Sequence, residues 1–99
     1  MLISHSSDWH LTEGPRFEAT LGCLRYIVDD GREHNVGLWI TGGDYTGTTV
    51  PHRATIAEKN ALAAIFQRMA ETAPVIIVAG NHDESRAGDL EISRHLVAA

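Results

Sequence analysis

Three short apolar runs, each closing on a polar cluster, constrain this chain more than any other feature. Met1-Leu2-Ile3 leads into Ser4-His5-Ser6-Ser7-Asp8-Trp9-His10. Val36-Gly37-Leu38-Trp39-Ile40 leads into Thr41-Gly42-Gly43-Asp44-Tyr45-Thr46-Gly47. Pro74-Val75-Ile76-Ile77-Val78-Ala79 leads into Gly80-Asn81-His82-Asp83-Glu84. The second and third runs lack polar alternation, the pattern of strands buried on both faces in a parallel sheet. Residues 2–7 read as the first strand.

Between the runs the period changes. Phe17, Leu21, Leu24 and Val28 recur at helical spacing with Thr20 and Ile27 beside them, so residues 16–30 read as a helix. Pro15 suits its first turn and Gly31 its C-terminal stop. Leu62, Ile65, Phe66 and Met69 form a second stripe, flanked by the alanines at 61, 63, 64 and 70, within a helix expected over 53–72. Phe66 and Met69 read as core. A third, less regular helix is expected over 87–98, with Leu90, Ile92, Leu96 and Val97 apolar.

The order is β-α-β-α-β-α, an α/β chain with parallel strands joined by right-handed crossovers. In such a sheet all strands end at one edge, where ligands bind. Asp8 and His10, then Asp44, then Asn81 and His82 therefore converge, although about 36 residues separate each cluster from the next. Asp8 and His10 are one residue apart, and alternate residues of extended chain point the same way.

Three oxygen donors and one imidazole suit Mn²⁺, Fe or Zn²⁺ better than a thiolate site would. Asp44, between the other clusters, suits a carboxylate bridging two ions. Two ions about 3.5–4 Å apart can activate a water and clamp both oxygens of a displacement at phosphorus. His82, beside a ligand, suits a general acid or a group that stabilises the departing alkoxide. Glycines 42, 43 and 80 let backbone approach closely. Taken singly, Gly-Gly-Asp and Gly-Asn-His-Asp are also ordinary turn sequences; the common position after a strand is what points to a metal site. Of the other histidines, His5 reads as a hydrogen-bonded or core residue of the first strand, His34 and His52 as solvated loop residues, and His95 as structural. Trp9 and Tyr45 suit local packing as well as substrate contact. Asp83 and Glu84 suit orienting His82 or capping a helix.

Composition sets the remaining bounds. The 99 residues make one domain at most, 43% hydrophobic and 21% charged, as in ordinary globular proteins. No apolar run approaches the ~20 residues that span a bilayer, so no membrane partner is expected. No secretory signal is visible, and the single Cys23, read as a helix flank and not a nucleophile, fits a reducing cytoplasm. A net charge of −5 argues against a broad basic nucleic-acid surface, although bound cations would supply local positive charge.

Asp8-x-His10, Gly43-Asp44 and Gly80-Asn81-His82-Asp83 resemble, in that order, the first three motifs of the calcineurin-like metallophosphoesterases. The resemblance spans nearly the whole chain. It implies that Asp8 and His10 hold a first divalent metal, that Asp44 bridges, that Asn81 holds a second, and that His82 is the catalytic histidine. The stretches His5-Ser6-Ser7-Asp8-Trp9-His10-Leu11 and 74–83 are similar to the SbcD-type DNA-repair exonucleases. That similarity implies Mn²⁺ as the metal, DNA as substrate, and a homodimer beside an ATPase partner. A phosphatase or small-molecule phosphodiesterase of the same family is the alternative, and so is a non-catalytic remnant.

Two departures accompany the resemblance. Gly47 stands where the family loop often carries Asp or His. The three later histidines that complete the family's site have no counterpart, because His95 follows the third motif too closely. The expectation is therefore the N-terminal portion of a phosphoesterase domain, apparently truncated, with apolar sheet surface left uncovered.

Overall fold

The computed structural model describes residues 1–47 and 52–78. The expected third helix and the cluster at 80–84 lie outside the described residues. Within them the order is β1 (Ile3–Ser6), α1 (Phe17–Glu33), β2 (Leu38–Thr41), α2 (Ile56–Ala70) and β3 (Val75–Ile77). The strands form one parallel sheet in the order β1-β2-β3. Ile3 pairs with Leu38 and Ser6 with Thr41; Trp39 pairs with Val75 and Thr41 with Ile77.

The α/β alternation and the parallel sheet follow the reading above, but burial of both strand faces does not. The strands advance in one direction across the sheet, so crossovers of one hand put both helices on the same face. That face carries buried Trp39 and Thr41 and half-buried Val75 and Ile77. On the other, Ile3 is 51% exposed, Ile76 48% and Val78 47%, with Leu38 and Ile40 half-buried. His5 lies on this face too and is exposed, not a core residue.

The core between sheet and helices joins the pair of stripes read from periodicity, Leu21, Leu24 and Val28 from α1 and Leu62, Ile65, Phe66 and Met69 from α2, to Trp9, Leu11, Trp39 and Tyr45. Cys23 is exposed on α1. Gly31 does not stop α1. It sits inside the helix where a β-carbon would overlap the Trp39 indole, so its lack of a side chain lets α1 lie on β2. The stop comes later, at Asn35, in left-handed backbone with φ 55°. Asn35 N–H donates to the Arg32 carbonyl and Val36 N–H to the Gly31 carbonyl, the paired bonds of a Schellman ending. This turn consumes Val36, so β2 begins at Leu38 instead of 36.

α2 also starts later than expected. Thr55 is its N-cap: its hydroxyl accepts from Glu58 N–H, and the Glu58 carboxylate accepts from Thr55 N–H. No helix among the described residues is long and apolar enough to cross a membrane.

Candidate metal centre

β1 and β2 end side by side, and the chain beyond them stays paired. Asp8 N–H donates to Gly43 O at 3.1 Å, His10 N–H to Asp44 O at 3.0 Å and Leu11 N–H to Tyr45 O at 2.8 Å. Leu11 and Thr46 form a further parallel bridge. The 8–11 and 43–47 segments thus run as a ladder past the sheet edge, and the backbone of Asp44 lies directly against that of His10.

These segments are not extended. Asp8 has φ 55°, His10 φ 50° and Asp44 φ 54°. With Asn35 they are the non-glycine residues in left-handed backbone among those described. Asn35 is accounted for by its helix ending. The other three are residues expected to hold metal. Left-handed backbone costs a residue with a β-carbon of order 1 kcal/mol and persists where surrounding structure over-determines it, as at binding sites. Extended-chain alternation is therefore the wrong reason for pairing Asp8 with His10. Left-handed residues flanking Trp9 bring them together, with Asp8 Oδ1 3.9 Å from His10 Nε2.

The over-determination comes from beneath. Trp9, between Asp8 and His10, is buried, as is Tyr45, next to Asp44. Their rings pack with Phe66 of α2 at centroid separations of 5.2–5.4 Å. Such pairs add about 0.5–1.5 kcal/mol each beyond their buried area. Trp9 Nε1–H donates to Ser6 Oγ at 3.1 Å, and the Tyr45 hydroxyl bonds to Val78 O at 2.9 Å and Thr41 Oγ1 at 2.8 Å. Both aromatics are therefore local anchors.

The His10 ring is held in one orientation. Its Nδ1 lies 2.7 Å from Gly47 O. A carbonyl only accepts, so Nδ1 carries the proton and the neutral ring has its lone pair on Nε2, the nitrogen nearest Asp8. Metal-binding histidines typically donate their second ring nitrogen to a carbonyl or carboxylate in this way. Metal–oxygen and metal–nitrogen bonds of about 2.0–2.2 Å reach two donors up to roughly 4.2 Å apart, so the 3.9 Å separation lies within reach of one shared ion.

Among the described residues no group of three or more His, Cys, Asp or Glu side chains gathers at one point. Asp8 and His10 come together with the backbone of Asp44 beside them. Asn81 and His82 lie outside the described residues. A cleft of about 380 Å³ opens next to His10, lined by Trp9, Thr12, Glu13, Arg16 and Thr20 among others. Arg16 stands there at the start of α1.

Two residues were missed by the sequence reading. His52 is not a solvated loop residue: its Nε2 lies 2.9 Å from Glu58 Oε1. Glu58 is fully buried. The signal for Glu58 was present, since Thr55-x-x-Glu58 spells a capping box; nothing in it indicated burial. His52 also accounts for Gly47, whose φ is 78°. A β-carbon there would run into the His52 side chain. A family model described as calcineurin-like phosphoesterase matches residues 1–97.

Proposed function

The chain belongs to the calcineurin-like phosphoesterase family, and on that premise we propose that it supplies the first donor segments of a two-metal centre that hydrolyses phosphodiester bonds in DNA. The coarser statement rests on membership alone: family chemistry is metal-dependent phosphoester hydrolysis with divalent ions. The observation that carries the proposal is the set of left-handed residues. Asp8, His10 and Asp44 hold unfavourable backbone side by side, and the His10 ring turns its lone-pair nitrogen toward Asp8.

In this reading Asp8 and His10 hold one ion, Asp44 bridges, Asn81 holds the second, and His82 gives a proton to the departing oxygen. When bound, the ions supply an activated water and offset the charge that develops at phosphorus. The chain's own part is to aim the donors. Gly47 O fixes the His10 tautomer, and Trp9 and Tyr45 keep the two segments from drifting apart. The cleft beside His10, with Arg16 on its wall, gives a phosphodiester an approach on a chain whose net charge is −5.

The finer assignments rest on the likeness of residues 5–11 and 74–83 to SbcD-type exonucleases. These are Mn²⁺ as the metal, a homodimer and an ATPase partner; a cytoplasmic setting rests instead on the single Cys23. The proposal includes further histidine donors from a longer chain, of which these residues are the N-terminal portion.

The test is Mn²⁺-dependent hydrolysis of an aryl phosphodiester and of linear DNA, with this chain compared with one extended beyond Ala99. Activity is expected in the longer chain, reduced at least 100-fold by His82→Ala, the scale on which general acid–base groups contribute, and lost with Asp44→Ala, which removes the carboxylate read as shared by both ions. Unchanged rates in both variants would remove the site assignment. Hydrolysis of aryl diester without DNA cleavage would leave the two-metal reading and remove the nuclease one.

A further inference from the structure

The capping box of α2 is larger than a cap requires. A capping carboxylate needs one bond, to the N-cap N–H. Glu58 makes that bond at 3.1 Å and two more. Its Oε2 accepts from Glu13 N–H at 2.6 Å, three residues after His10. Its Oε1 accepts from His52 Nε2 at 2.9 Å. The side chain is 1% exposed, a position that a carboxylate tolerates only when donors satisfy it. Both extra bonds lead to the segments that carry the candidate ligands. His52 lies against Gly47. Gly47 N–H donates to Leu11 O at 3.3 Å, and Gly47 O receives His10 Nδ1–H.

We propose that Glu58 is a positioning residue for the metal centre: its buried carboxylate holds the His52 ring over Gly47, and Gly47 in turn sets the tautomer and direction of His10. The chain of contacts is continuous, from Glu58 Oε1 to His52 Nε2, from the His52 ring to the Gly47 backbone, and from Gly47 O to His10 Nδ1. The second oxygen fixes the other segment at Glu13, so the gap between the two ligand segments is set from below by one carboxylate. Thr55 adds a parallel tie, its hydroxyl donating to Glu13 Oε1 at 3.1 Å. The proposal rests on reading His10 as a metal ligand, and its test keeps the two apart.

Glu58→Gln preserves shape but not function, because all three partners are donors. Whichever way the amide turns, its NH₂ faces at least one N–H. His52→Ala removes the ring from Gly47 while leaving the cap of α2, and so serves if Glu58→Gln folds poorly. Val28→Ala, in the α1 core away from the site, controls for lost stability. Two quantities are read on the full chain. ¹⁵N NMR above pH 8 gives the His10 tautomer without metal, and Mn²⁺ titration gives affinity. The wild type is expected to show Nδ1–H at His10. Both site variants are expected to shift it toward Nε2–H and to weaken Mn²⁺ binding about 10–100-fold, the usual effect of losing support behind a ligand. Val28→Ala is expected to change neither. A His10 tautomer unaltered in His52→Ala overturns the proposal. A tautomer shift in a chain that binds no Mn²⁺ upholds the positioning and removes the metal reading instead.

Discussion

α1 and α2 begin in opposite ways. α1 starts at Arg16 with no side-chain cap, next to an open cleft. α2 starts with a complete capping box whose glutamate is fully buried. Both follow a segment bearing candidate ligands, so the contrast concerns how each helix is held. α1 is held by packing: Leu21, Leu24 and Val28 face the core, and Gly31 lies against the Trp39 indole. α2 packs as well, but its first turn also gathers the segments above it through Glu58. A helix fixed along its length can leave its N-terminus open toward a substrate. A helix that ties loops must fix its N-terminus.

Substitutions at each anchor break or sharpen this contrast. The largest effect is expected from Gly31→Ala. The added carbon overlaps the Trp39 ring, and over-packing of this kind costs about 1–3 kcal/mol even against the ~1 kcal/mol that alanine gains in a helix. The clash is with a rigid, buried ring, which puts the cost at the upper end of that range and leaves a net loss of about 2 kcal/mol in urea unfolding. An unchanged midpoint would show that α1 is not held at this contact.

A smaller loss is expected from Thr55→Ala, about 1 kcal/mol for a removed N-cap. The Glu58 bonds to His52 and Glu13 remain, so the His10 tautomer by ¹⁵N NMR should stay as in the wild type. A shift there would mean that the cap hydroxyl, and not the carboxylate, holds the segments.

The smallest effect is expected at the far end of α1. His34 Nδ1–H donates to Asp30 O at 2.8 Å, and the Asp30 carboxylate lies 3.4 Å away. The carbonyl bond first, and then that carboxylate, raise the His34 pKa above its ordinary value near 6.5. The protonated ring is therefore favoured in the folded state. Its contribution is fully present below the unfolded value and is lost as pH rises through the raised folded one. Urea midpoints for wild type and His34→Gln should differ slightly at pH 5.5 and coincide at pH 9. A difference that grows with pH would reverse this assignment.

Much of the fold was legible because it follows from local repeats. The 3.6-residue stripes of Leu21, Leu24 and Val28, and of Leu62, Ile65, Phe66 and Met69, mark core faces whatever the partner. Alternation with short apolar runs implies parallel strands. Asp8, His10 and Asp44 were legible as residues beyond strand ends, and the structure sets their segments together. Other readings failed where the answer depended on a distant residue. Gly31 looked like a helix stop because its partner Trp39 lies on another element. His52 looked solvated because Glu58 was read only as part of a helix. Ile40 and Ile76 looked buried because an apolar run does not report how many faces of its sheet are covered.

The sequence by itself determined the α/β order, the two core stripes and the edge past which the Asp8–His10 and Asp44 segments run, since side-chain period and strand direction are properties of neighbouring residues. Only the tertiary structure decided that Asp8, His10 and Asp44 sit in left-handed backbone over an aromatic base, and that a buried glutamate ties their segments. Unfavourable backbone and a buried charge are tolerable only where donors and rings from elsewhere in the chain offset them, and that compensation exists only once the chain has folded.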